Sequence, residues 1–266
     1  MRRLVRLLFI SLLSLSASGC LPWFYSFYPF DGAFGTTSEG MLKDGETLPR
    51  EGPHHRLYHA SSKAWGVPTL PRALLRTADL VAEEYPGAVL YIGDMSGERG
   101  GHIPGHSSHR AGRDVDLAFF TDDLWGRPVT PYPLTHFDRY GVGRAGANVR
   151  LFNTAENWAI VEALLTDPEI SVQWIFVSNG LKARLLEWAL ANNRSIEIIG
   201  RAAAALKQPG DSAPHDDHFH VRIHCPNDGT GHLCKEVPPI RPWAHLSPKP
   251  NRPTDEELLE LALEGL

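Results

Sequence analysis

The sequence predicts an α+β fold in which a central, largely antiparallel sheet is flanked by helices. Three observations carry that expectation. Two stretches, Arg113 to Phe120 and His218 to Ile223, alternate polar with apolar residues, the pattern of a strand with one buried face. Four others repeat their apolar residues at helical spacing: Pro71 to Tyr85, Thr154 to Asp167, Gly180 to Asn192 and Ser195 to Leu206. Finally, strands and helices do not follow one another in the regular βαβ alternation that a parallel sheet needs.

The chain has 266 residues, 42% of them hydrophobic, and a formal net charge of -5. One domain of moderate size with appendages is expected, with ample material for a core. The charge and the lack of a basic cluster beyond the N-terminus argue against a nucleic-acid partner.

Residues 1–19 read as a signal peptide. Arg2, Arg3 and Arg6 precede the apolar run Leu7 to Leu15, which is too short to span a bilayer. Ala17-Ser18-Gly19-Cys20 reads as a lipobox with Cys20 acylated after cleavage; a plain secretory signal cut nearby is the alternative. A periplasmic protein is expected, anchored to the outer membrane only through that lipid.

Residues 20–60 are aromatic, then punctuated by Gly and Pro, and are expected to wrap the domain of residues 61–236. In the Pro71 to Tyr85 helix, Leu74, Leu75, Ala78, Val81 and Ala82 form the apolar stripe and Thr69 is the candidate N-cap. Ala88 to Ile92 is a buried strand that opens into the glycine-rich loop Gly93 to Gly105. Thr121 to Val149, rich in Pro and Gly, reads as a long irregular insertion. Asn153 or Thr154 caps the next helix, Val172 to Val177 is a strand, and two further helices follow. Residues 237–266 form a proline-rich tail with a short helix, Asp255 to Leu263.

The cysteines fit export. With Cys20 lipidated, Cys225 and Cys234 bracket a turn-rich loop and are placed for a disulfide. A Cys/His metal knuckle with His224 and His232 is the competing reading.

The two alternating runs carry the chemistry. Phe219, Val221 and Ile223 face a core, so His218, His220 and Arg222 face the other side; Val115, Leu117 and Phe119 likewise leave Asp114 and Asp116 opposite. Neighbouring strands of this kind bring imidazoles and a carboxylate onto one polar face. A hydrolytic zinc site needs three N or O ligands and an open position for water, and His109, Asp116 and His220 are the expected ligands. His218, one pleat from His220, is placed as general base to that water or as a stabiliser of the oxyanion. Asp217 is a candidate orienter of the imidazoles, and His106 and Asp114 are candidates for supporting the ligands or for a second metal. The alternative is a hydrogen-bonded polar cluster closing a sheet edge.

Ser107-x-His109-x-x-Gly112-x-x-x-Asp116, followed by His218-x-His220, resembles the metallopeptidase superfamily that includes lysostaphin, D-alanyl-D-alanine peptidases and hedgehog domains. Gly93-Asp94-Met95, Gly105-His106-x-Ser108-His109, Asp114-Val115-Asp116 and His215-x-x-His218-x-His220-Val221-Arg222 are similar to the penicillin-insensitive murein endopeptidases. The resemblance implies a hedgehog- or D-Ala-D-Ala-peptidase-like fold and a zinc-activated water. It implies a catalytic part for His215 beside His218, and a loop-supporting part for Ser107. The implied reaction cuts the D-alanyl–meso-diaminopimelyl cross-link between peptidoglycan stem peptides, the expected partner. The family's second metal would use an Asp-x-x-His pair in the insertion, but His136 and Asp138 stand in the wrong order, so one zinc per chain is expected. Arg99, Arg110, Arg113 and Arg222 are candidates for the stem-peptide carboxylates. The alternatives are a D,D-carboxypeptidase or dipeptidase of the same superfamily, and a non-catalytic, zinc-containing peptidoglycan-binding lipoprotein.

Overall fold

In the computed structural model, which describes residues 32–59, 61–210, 212–227 and 233–244, the two alternating runs are adjacent strands in the middle of a six-stranded sheet. The signal segment, Cys20 and the helix expected at 255–263 lie outside the described residues. Strands β1 (Gly32–Gly35) and β2 (Gly40–Lys43) form a hairpin. β3 (Glu46–Thr47), β4 (His55–Leu57) and β5 (Trp65–Gly66) follow; β3 pairs with β5, whereas β4 joins the main sheet. Helix α1 (Thr69–Glu84) leads to β6 (Leu90–Ile92), and the glycine-rich loop separates β6 from β7 (Asp114–Ala118). β8 (Thr121–Asp122), β9 (Pro128–Val129), β10 (Val142–Ala145) and β11 (Asn148–Phe152) come next. The chain continues through α2 (Thr154–Thr166), β12 (Val172–Phe176), α3 (Asn179–Ala191), α4 (Ile196–Ala205), β13 (Leu206–Lys207) and β14 (His218–Ile223).

The main sheet runs β13-β12-β14-β7-β6-β4. Its three inner pairings are antiparallel and the two outermost parallel. Val115, Leu117, Ile175, Phe219, Val221 and Ile223 are buried in one hydrophobic cluster with residues of all four helices, Leu74, Trp158, Leu185 and Ala202 among them. Burying each large side chain contributes about 1.5–3 kcal/mol. A one-residue slip of β14 would send His218 and His220 into that core, so the register is strongly specified.

Three local expectations are corrected. The insertion is not irregular: β8 to β11 make a second, four-stranded antiparallel sheet, order β10-β11-β8-β9. Gly146, at φ 62°, supplies the left-handed residue that the tight β10–β11 turn needs. Asp138 Oδ1 ties the preceding turn by accepting from the amides of Tyr140 and Val142 at 2.8 and 3.0 Å. Helix α1 begins at Thr69 itself, whose buried hydroxyl has no hydrogen-bond partner among the described residues and therefore does not cap the helix. Within the segment expected only to wrap the domain, β4 is an edge strand of the main sheet. The start of the proline-rich tail also packs: Trp243 Nε1 donates to Val172 O at 3.0 Å and Arg241 Nε to Gln173 O at 3.0 Å.

Candidate active site

The pairing of β14 with β7 sets His220 opposite Asp116 and Arg222 opposite Asp114. Asp114 is wholly buried. Its Oδ1 accepts from His220 Nε2 at 2.9 Å and Arg222 Nε at 2.7 Å, and its Oδ2 from the His109 amide at 3.3 Å. Burial opposes ionisation, but Arg222 and His220 hold this carboxyl far below the usual carboxylate range. Asp114 is thus a support that orients both histidines.

The glycine-rich loop brings His109 to the same place. Gly93 passes so close to β7 that a Cβ there would meet Asp116 at 3.1 Å. His109 is fully buried, its Nδ1 donating to Met95 O at 2.7 Å. It holds a left-handed backbone at φ 65°, as does His215 at φ 52°. Such conformations cost about 1–3 kcal/mol for a non-glycine residue and gather at functional sites.

Asp116 is where the imidazoles converge. Its Oδ1 lies 3.3 Å from His109 Nε2, 3.6 Å from His218 Nε2 and 3.7 Å from His220 Nδ1. Its Oδ2 lies 3.8 Å from His106 Nδ1. Both Asp116 Oδ1 and His109 Nε2 are buried without a hydrogen-bond partner among the described residues, a costly state unless something else satisfies them. His109 and His220 each spend one nitrogen on an oxygen acceptor and leave the other toward Asp116, the pattern that orients metal-bound histidines. The donor set fits a cation that takes imidazole and carboxylate.

His106, His109 and Asp116 offer donor atoms that lie within 4.8 Å of one another. The sequence-predicted set, His109, Asp116 and His220, shares two members with this group and differs in the third. Between the two, His220 is the more enclosed and is locked by Asp114, while His106 is partly exposed and bonds Asp94 Oδ2 at 3.0 Å. An imidazole therefore flanks each oxygen of Asp116.

The charges follow from this geometry. Burial alone would depress His109, but the adjacent Asp116 carboxylate overrides it and pushes the imidazole up to about 9. Burial also opposes ionisation of Asp116, yet His109, His218 and His220 hold it far below the usual range. A site that retains a proton this firmly is one that attracts a cation. His220 is pushed down to about 4 by burial, against the pull of Asp114.

His218 is less enclosed. Its Nδ1 donates to Asp217 Oδ1 at 2.7 Å, which turns Nε2 toward Asp116. Burial lowers its affinity for a proton, but Asp217 and Asp116 raise it above the ordinary histidine value. His215 stands 5.0 Å from the His218 ring and 5.5 Å from the His220 ring, centre to centre, with its Nδ1 on Ala213 O at 2.8 Å. Burial, then the charge of His218, lowers its pKa.

Several contributors escaped sequence reasoning. Asp94 accepts from both His106 and Lys63, although only its place in Gly93-Asp94-Met95 had marked it. Phe176 packs edge-on against His220 at 5.2 Å; its position two residues after Trp174 on an alternating strand was the available signal. His136 does not meet Asp138. Its Nδ1 instead bonds Asp216 Oδ1 at 2.6 Å, with Asp217 Oδ2 4.0 Å from its Nε2. Arg113 is buried, its guanidinium donating to Ile223 O and Lys235 O, and so is withdrawn from substrate. Cys225 and Cys234 form the disulfide.

A buried carboxylate ringed by histidines on the open face of an α+β sheet is the site of a hydrolase of the metallopeptidase kind. The family model described as penicillin-insensitive murein endopeptidase matches residues 33–244, and the chain belongs to that family; it is a peptidase. Proteins called penicillin-insensitive murein endopeptidase from Escherichia coli O139:H28 (strain E24377A / ETEC) and Shigella boydii serotype 18 (strain CDC 3083-94 / BS512) are each 27% identical to it over 240 residues. The match covers 86% of this chain and 81% of each relative.

Proposed function

We propose that the protein is a zinc-dependent murein endopeptidase that hydrolyses the D-alanyl–meso-diaminopimelyl cross-link of peptidoglycan. The observation that carries this is the pair of buried, unpartnered atoms, Asp116 Oδ1 and His109 Nε2, with two further imidazole nitrogens within 3.7 Å of that oxygen. His109, Asp116 and His220 would hold the zinc. When bound, the ion polarises the scissile carbonyl and lowers the pKa of water from about 16 to about 7.

The chain's own groups do the rest. Asp114 locks His220 and Arg222, so the ligand imidazole needs no reorganisation. Asp217 holds His218 with Nε2 toward the site, where it accepts the proton of the attacking water and returns it to the departing amine. His215, its ring 5.0 Å from that of His218, would assist there. His106 flanks the outer oxygen of Asp116 and helps fix that carboxylate. No serine or cysteine is acylated in this scheme, so penicillin has no target. Export to the periplasm, with Cys20 as lipid anchor, would place the enzyme against the wall.

The test is product analysis by mass spectrometry with cross-linked muropeptide dimers. Conversion to monomers that a chelator abolishes and penicillin leaves untouched is the expected result, with one zinc per chain by elemental analysis. Release of free D-alanine from uncross-linked stems, with dimers left intact, would assign the protein to D,D-carboxypeptidase chemistry instead.

A further inference from the structure

We infer that the open face of the sheet continues past the histidines into a subsite for a substrate carboxylate, built by Lys207, Phe176 and Trp174. The inference deepens the endopeptidase reading and rests on it. One row of residues crosses four neighbouring strands: Lys207 on β13 lies opposite Phe176 on β12, Phe176 opposite His220 on β14, and His220 opposite Asp116 on β7. A second row sets Trp174 opposite Arg222 and Arg222 opposite Asp114. Paired residues share a face of the sheet, so the site and this strip are one continuous surface.

The strip alternates cations with aromatic rings. Lys207 Nζ lies 4.6 Å and Arg241 Cζ 4.0 Å from the centre of the Trp174 ring; Arg222 Cζ lies 5.5 Å from that of Phe176. Trp174 and Phe176 are 5.9 Å apart and both partly exposed. Arg241 acts as a rivet, donating to Gln173 O and Ala204 O. Arg222 gives its Nε to buried Asp114. Lys207 is different: it is exposed, and among the described residues no carboxylate lies within ion-pair distance of it. An ammonium held on an aromatic ring beside a catalytic face, with no acid of its own, is complementary to an anionic group on the substrate.

Strand spacing sets the distance. Two inter-strand steps put the Lys207 backbone about 10 Å from that of His220, the length of about three extended residues. The carboxylate recognised is therefore one carried two to three residues from the bond that is cut.

The test uses the full chain and two short, non-hydrolysable stem peptides, one with a free carboxylate at that distance and one with the same group amidated. Calorimetric titration should show the free acid binding more tightly. Lys207→Glu should weaken binding of the acid at least fivefold and leave the amide within twofold, and Lys207→Arg should keep both. Equal binding of the two peptides, no effect of Lys207→Glu, or an equal loss on both peptides would overturn the subsite. Dimer cleavage by the same preparations separates the two ideas. Cleavage indifferent to Lys207 removes the subsite and leaves the endopeptidase, whereas Lys207-dependent binding without any cleavage removes the endopeptidase.

Discussion

The two ends of β14 each carry a buried histidine beside a carboxylate, and they are built for different purposes. Past the far end, His224 has both nitrogens engaged: Nδ1 pairs with Glu236 Oε2 at 3.0 Å and Nε2 accepts from the Arg241 amide at 3.4 Å. Glu236 also accepts from the Cys225 amide, and the Cys225–Cys234 disulfide closes this corner. The thiols are spent on each other, which disposes of a Cys/His metal knuckle. At the near end, His220 has Nε2 on Asp114, but its Nδ1 faces an Asp116 oxygen that has no hydrogen-bond partner among the described residues. Burial and acid–imidazole pairing are common to both ends. What distinguishes the near one is the leftover valence, several lone pairs directed at one point.

The comparison is broken most directly at Asp116. Asp116→Ala or His220→Ala should abolish zinc binding and lower kcat/KM on the order of a thousandfold or more, checked by elemental analysis beside muropeptide turnover. Retained zinc with near-normal turnover in both variants would erase the difference between the ends. His218→Ala should keep its zinc while kcat falls about 10²–10⁴-fold; a loss confined to KM would remove its part in proton transfer.

The other end should respond in stability alone. Cys225→Ala with Cys234→Ala opens a loop of sequence separation 9, which costs about 2.5 kcal/mol in the chain-entropy description. His224→Ala leaves Glu236 short of a partner, a loss of about 1–3 kcal/mol. Denaturant midpoints should fall in both, with turnover per folded molecule unchanged.

The remaining effect is in pH. In the chelated protein, His109 near 9 binds its proton more tightly than an unfolded histidine near 6.5, so its stabilisation is complete below about 6.5 and lost as pH rises through about 9. His220 near 4 acts in the opposite sense, adding stability as pH rises from about 4 to about 6.5. The melting temperature of the chelated form should therefore peak near pH 6.5, and zinc should flatten its fall on the alkaline side. An alkaline limb that zinc leaves unchanged would place the titrating group elsewhere.

Much of this was legible in the chain itself. Period-two alternation in 113–120 and 218–223 assigned each side chain to a face, because the side-chain period of a strand is two whatever its neighbours are. Helical spacing located α1 to α4, and Asn153 was recognisable as a cap, its side chain accepting from the Glu156 amide at 3.1 Å. The insertion misled because β8 and β9 are two residues long and β10 contains glycine and alanine, too little local propensity to outweigh Pro and Gly. Their pairing is non-local, and non-local pairing leaves no periodic trace.

From sequence alone, then, came the strands that carry the site, their faces and the residue types able to hold a cation, since these depend on local geometry and chemical valence. Only the tertiary structure decided which side chains meet. It set His220 against Asp116, gave Asp94 to His106, withdrew Arg113 into the interior and aligned Lys207 with Phe176 across the sheet. Those outcomes depend on strand order and register, which arise from burial of the whole apolar face at once and from no single stretch of chain.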